Sequence, residues 1–186
     1  REGARGDLRA GETITVRSLL SIMLVDSSND AALALAGQKE DFIFLMNKKA
    51  QDLNLSNTKF SNPDGLDEQN NYSSAFDVSK IFSYIIHNHK EALEILKVKN
   101  IVVYSSDGEF EHRLKNTNEL LGAVPEVKAG KTGYTDNAGE SLTLLISDLY
   151  PNSINNDIIT VVLNSTDRFK ESEKLIQWLK EAYIWN

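Results

Sequence analysis

Apolar residues first recur at helical spacing after Thr15. Val16, Leu19, Leu20, Met23 and Leu24 predict a helix with Thr15 as its N-cap. The segment is apolar nearly all round, which predicts burial. Asp26-Ser27-Ser28-Asn29-Asp30 interrupts it, and Ala31 to Ala36 resumes a small-residue helix. A polar break between two apolar helices is unusual. Its structural explanation is a helix N-cap, for which Ser, Asn and Asp are preferred. Glu40 to Leu53 predicts a third helix, with Phe42, Phe44, Leu45, Met46 and Leu53 turned inward. Residues 54–72 predict a long loop around the turn-forming Asn62-Pro63-Asp64-Gly65. Loops of that length are functional or packed by their own side chains. Ser74 to Asp77 is a variant capping box opening a fourth helix to about Ile86, and a short helix follows near Glu91 to Leu96.

The pattern then changes to period two. Asn100 to Ser105 predicts a strand, Asp107-Gly108 a hairpin turn, and Glu109 to Leu114 the returning arm. Asn116 to Leu121 reads as a capped helical turn. Strands are predicted over about 126–134, 140–148 and 157–164, then an amphipathic helix from Arg168 to Tyr183 with Leu175, Ile176, Trp178 and Leu179 inward. Helices followed by antiparallel strands and a closing helix give an α+β order, read as one domain over residues 1–186.

Composition narrows the function. The net charge of −7 over 186 residues argues against non-specific nucleic-acid binding. The chain has no cysteine, hence no disulfide or thiolate metal site, which suits an oxidising exterior. No apolar run reaches membrane-spanning length, and Arg1 to Asp7 carries no signal-peptide core, so an export signal would lie outside this sequence. The three histidines do not form a triad or metal pattern. His87 and His89 are two apart and cannot share a helix face, and both are expected in solvent. His112 lies in a hairpin arm and is expected to be exposed too. His-Glu-x-x-His, Walker and dinucleotide-binding fingerprints are all missing.

Serine chemistry run by lysine remains. Gly130-Lys131-Thr132-Gly133-Tyr134-Thr135 reads as part of an edge strand. The ammonium supplies fixed positive charge and the hydroxyl can bind an anionic group. Gly133, without a Cβ, lets a peptide lie against the backbone. Ser27-x-Asn29 sits at the break between helices. Ser27-Ser28-Asn29-Asp30-Ala31-Ala32 resembles the Ser-x-Asn motif of the serine D-alanyl-D-alanine carboxypeptidases, the low-molecular-mass penicillin-binding proteins, and Lys131-Thr132-Gly133 resembles their Lys-Thr-Gly. Phe60 to Asp67 is similar to their Asn-Pro-His-Gly-Leu segment, with Asp64 in place of the His. Asn116 to Leu121 and Gly130 to Gly139 match in order, and Ala10 to Val16 matches more loosely. Arg168 falls where the family has an arginine at the start of its last helix.

The resemblance implies a β-lactamase/transpeptidase-like fold and acyl transfer without a metal or organic cofactor. Its substrate would be the peptidoglycan pentapeptide, and β-lactams would acylate the same serine. It implies that Ser27 relays a proton, Asn29 holds the substrate amide, and Lys131 supplies positive potential. It further implies that Thr132 and Arg168 bind the terminal carboxylate, and that the Tyr134 N–H is an oxyanion donor. The family's nucleophile motif, Ser-x-x-Lys, belongs upstream of Ser27, and no such motif lies there. The one occurrence, Ser56-Asn57-Thr58-Lys59, falls where the family has no catalytic residue and reads as a decoy. The expectation is therefore a C-terminal portion of a catalytic domain, with its N-terminal strands and nucleophile helix absent, inactive by itself and partnered by that N-terminal segment. An extracytoplasmic location is implied, with any membrane anchor outside this chain. A class A β-lactamase and a non-catalytic scaffold of the same fold are the alternatives.

Overall fold

The computed structural model describes residues 6–149 and 157–182; the Tyr183 end expected for the last helix lies outside them. The helices α1 (Val16–Val25), α2 (Asn29–Ala36), α3 (Lys39–Asp52), α4 (Ala75–Asn88) and α5 (Lys90–Leu96) come first. The hairpin β1 (Asn100–Tyr104) and β2 (Glu111–Lys115) follows, then strands β3 (Val127–Thr135), β4 (Gly139–Ile146) and β5 (Ile158–Ser165), and helix α6 (Arg168–Ala182). The predicted element types hold. Asn116 to Leu121 is a capped turn, with the Asn118 side chain accepting from Leu120 N and its carbonyl from Leu121 N. Local capping accounts for several boundaries. Thr15 accepts from Ser18 N at the start of α1, and Ser74 from Asp77 N at the start of α4.

The three-stranded antiparallel sheet has the order β3-β4-β5, so β3 is an edge strand as predicted. Strand periodicity separates its faces. Val127, Leu142, Leu144 and Ile146 pack with Leu120, Leu121 and with Ile176 and Leu179 of α6. Ala129 and Leu145 face the other way, onto Phe82 of α4 and Leu96 of α5. A third cluster joins Ile22 and Val25 of α1 to Ala31, Ile95, Val103 and Leu114. Leu24 touches both helical clusters and links them.

Four burial expectations need correction. The α1 helix is not buried all round: Ile22 and Val25 are sealed, whereas Val16 is 65% exposed at its outer end. On α3, Phe44 and Leu45 are exposed, and Ala50 is its buried residue. That helix meets the 54–72 loop through a polar contact, with Asn47 donating to Phe60 O and accepting from Phe60 N. Trp178 is half exposed, since α6 turns Ser172, Ile176 and Leu179 to the sheet. His112 is buried: it alternates inward with Leu114 along β2, and the segment before α1 lies over it. The long loop is packed by its own side chains. Asn62, 1% exposed, donates to Leu66 O and accepts from Gly65 N.

Candidate functional site

The sheet edge and the α1–α2 junction enclose a cleft of about 800 Å³. All seven residues singled out in the sequence line it: Ser27, Asn29, Lys131, Thr132, Gly133, Tyr134 and Arg168. The alternation of β3 explains how one strand serves two walls. Lys131 pairs with Thr143 in register and shares the face of Ala129 and Leu145, which looks onto the helices. Thr132 pairs with Leu142 and takes the opposite face.

Ser27 is not the cap of α2. Ser28 caps it, accepting from Ala31 N at 3.0 Å while itself 1% exposed. Ser27 instead sits between the helices with φ of 59°, a left-handed conformation that costs a serine about 1 kcal/mol. That turn leaves its hydroxyl in the cleft, where it accepts from Lys131 Nζ at 2.6 Å. Lys131 also donates to Thr132 O at 2.9 Å. The Asn29 side-chain amide donates to Asp64 O at 2.6 Å and ties the Ser-x-Asn turn to the long loop. The Thr132 hydroxyl lies 2.5 Å from that of Thr117. Arg168 opens α6, donates through one terminal nitrogen to Gly133 O at 3.0 Å, and keeps a buried Nε with no hydrogen-bond partner. Tyr134 is exposed at the mouth, its hydroxyl on Asp136. Across the mouth, Asp67 accepts from the Thr135 hydroxyl at 2.6 Å and from Asn137 N.

The electrostatics are set by burial. The Lys131 ammonium is pushed down to about 8, chiefly by desolvation and then by the Arg168 charge, with Asp26 opposing. Burial also raises the Asp26 carboxyl, beside Ser27, against a hydrogen bond from the Lys115 backbone. An ammonium, a guanidinium and several hydroxyls around one open strand edge suit a ligand that is anionic, carbonyl-bearing and extended. His87, His89, Ser56 and Lys59 are all exposed and none lines the cleft. Besides Asp64 to Asp67, Thr135 and Asp136, the cleft residues not singled out in the sequence include Thr117. Its signal was present in Asn116-Thr117-Asn118, but only the fold brings that turn beneath β3.

Comparison with known proteins identifies the family and the fold. The peptidase S11 family, described as D-alanyl-D-alanine carboxypeptidase, matches residues 2–167, ending one residue before Arg168. The D-alanyl-D-alanine carboxypeptidase DacF of Bacillus subtilis is 37% identical over 155 residues, covering 76% of this chain and 37% of the relative. DacC of Escherichia coli is 35% identical over 179 residues, covering 92% and 42%. The chain thus spans about two fifths of the length of these curated relatives. Among solved structures, the Streptomyces K15 DD-transpeptidase superposes with a TM-score of 0.83 at 29% identity, covering 97% of this chain and 73% of that one. A D-alanyl-D-alanine carboxypeptidase from Mycobacterium tuberculosis superposes with a TM-score of 0.84 at 25% identity, covering 99% and 70%. The fold is therefore that of the penicillin-binding transpeptidases, and the chain belongs to the D-alanyl-D-alanine carboxypeptidase family, peptidase S11.

Proposed function

We propose that this chain supplies one wall and the carboxylate-binding end of a serine-type D-alanyl-D-alanine carboxypeptidase site that trims peptidoglycan stem peptides outside the cytoplasm. The observation that carries the proposal is the 2.6 Å contact of Lys131 Nζ with Ser27 Oγ, in a cleft that Arg168 also lines. The sole Ser-x-x-Lys in these 186 residues, Ser56 to Lys59, lies off the cleft. The nucleophile and its lysine base would then come from a segment outside this sequence, and these residues alone would not turn over.

In the reaction that serine attacks the carbonyl carbon of the penultimate D-Ala, and its proton passes to the lysine base. The peptide C–N bond breaks, the terminal D-Ala leaves with a proton delivered through Ser27, and water then hydrolyses the ester. Lys131 stabilises negative charge on the Ser27 oxygen and on the substrate carboxylate. Thr132 and the Arg168 fork bind that carboxylate. Asn29 holds the substrate amide. The Tyr134 N–H serves the oxyanion, and the peptide runs along the open edge of β3 beside Gly133. No step draws on a metal or organic cofactor. β-Lactams would enter by the same route.

Intact-mass spectrometry of the full-length protein after benzylpenicillin treatment tests this, with D-Ala release from a pentapeptide as the second readout. The expected result is a persistent acyl adduct on a serine of Ser-x-x-Lys other than Ser56, together with D-Ala release. Rapid penicillin hydrolysis without an adduct would mark a β-lactamase. Neither adduct nor release would mark a scaffold. An adduct on Ser56 would overturn the assignment of the site.

Arg168→Lys keeps the charge and removes the planar fork. It should raise the KM for D-Ala release about tenfold, roughly 1.4 kcal/mol of binding, with kcat changed less. An unchanged KM would show that Arg168 does not contact the carboxylate.

A further inference from the structure

We propose that the buried pair His112–Glu12 is a positioning device that holds the Ser27–Asn29 turn in register with Lys131. It rests on the functional reading above only for its kinetic readout. His112 is 5% exposed on β2, and the Glu12 carboxylate beside it is 2% exposed. The two ring nitrogens face acceptors: Nδ1 lies 3.1 Å from Gly6 O, and Nε2 lies 2.6 Å from Glu12 Oε1. Each ring nitrogen therefore has an oxygen partner, one on the backbone and one on a carboxylate. The other Glu12 oxygen accepts from Arg9 N at 3.1 Å, so residues 6–12 fold around the imidazole. Downstream, Thr13 O accepts from Ser106 N in the β1–β2 turn, which fixes the far end of the segment.

The same segment reaches the cleft. Gly6 carries His112 on its carbonyl and donates its own N–H to Asp30 Oδ1 at 2.8 Å. That oxygen also accepts from Ala31 N and from the Ser28 hydroxyl. Gly6 is pressed against the turn: a Cβ there would lie 2.4 Å from Ile22 Cγ2 and 2.7 Å from Ser28 Oγ. Ser28 is the neighbour of Ser27, whose left-handed backbone needs support, and of Asn29. A continuous set of hydrogen bonds thus runs from His112 through Gly6 and Asp30 to the turn that presents the Ser27 hydroxyl. A buried polar pair of this kind is a weak source of stability compared with apolar packing. What this one contributes is a fixed position for a segment that has no helix or strand of its own.

The test uses His112→Gln and Glu12→Gln in the full-length protein, with thermal melts confirming folding. Glu12→Gln keeps the side-chain shape and carries the test if His112→Gln does not fold. Each should lower kcat for D-Ala release about tenfold while KM changes less than about twofold, because Thr132 and Arg168 bind the carboxylate from the other wall. Asp30→Asn combined with His112→Gln should be no slower than the worse single variant, since both act along one path. Titration of the Lys131 side chain by NMR gives a readout free of turnover. Displacing Ser27 removes an acceptor from the ammonium, so Lys131 should lose its proton at a pH lower by about half a unit or more. If the parent protein neither releases D-Ala nor is acylated, the functional reading fails and the NMR titration alone decides this inference. Folded variants with an unmoved Lys131 titration, or with multiplying kcat losses in the double variant, would overturn it.

Discussion

Lys131→Met in the full-length protein should remove about a thousandfold or more of kcat/KM for D-Ala release and at the same time raise thermal stability. The two effects share one cause. Burial holds the ammonium at about 8, against an ordinary value of 10.5. That difference represents a cost of keeping it charged on the order of 3 kcal/mol. The sign follows from proton counting. Below about pH 8 both folded and unfolded chains hold the proton and the full cost is present. Between about 8 and 10.5 the unfolded chain holds a proton that the folded chain has released, so stability rises with pH across that window. Above 10.5 both have lost it. Methionine fills a similar volume without charge, and should stabilise by about 1–2 kcal/mol after the lost contacts to Ser27 and Thr132 are counted. The parent kcat/KM should fall as pH rises through about 8, because the free enzyme then loses the charge that receives the carboxylate. Melting curves at pH 7 and pH 10 check the first half, and a pH–rate profile the second. A destabilised methionine variant, or a rate flat from pH 7 to 9.5, would contradict this account of Lys131.

Gly130→Ala should be the most damaging single methyl group in the chain's strands. An added Cβ would stand 2.7 Å from Thr143 O, 2.7 Å from Asn118 Nδ2 and 2.8 Å from Leu144 Cδ2. The Thr143 oxygen is backbone on the central strand and cannot turn aside. Asn118, 1% exposed, carries the turn that places Thr117 against Thr132. Relief would require β3 to move off β4, at about 3 kcal/mol, seen as a Tm lower by about 5–10 °C. Gly133→Ala is the contrasting variant. Its Cβ would meet only Ser141 Cβ, at an ordinary 3.7 Å, so the melt should stay within about 1 °C of the parent. Its cost should fall on a peptide lying along the strand edge, as a lower kcat/KM. Equal melts for the two variants would show that close packing at Gly130 is not what confines β3.

Much of this protein is local and therefore legible in the chain. Helix and strand periods, the caps at Thr15 and Ser74 and the Asp107-Gly108 turn all depend on neighbours within a few residues. So do the motifs whose order marked the family. The sequence also carried seven of the cleft residues, but as separate matches with no distance between them. Only the tertiary structure decided that Ser28 caps α2 and frees Ser27, that Thr117 joins the cleft, and that His112 is buried on Glu12 and Gly6. It also decided that Phe44, Leu45 and Trp178 face outward. Whether an apolar residue is covered, or a polar one finds its partner, depends on which distant segment packs against it. The Ser27–Lys131 contact joins residues 104 apart in the chain, and no local pattern encodes such a meeting.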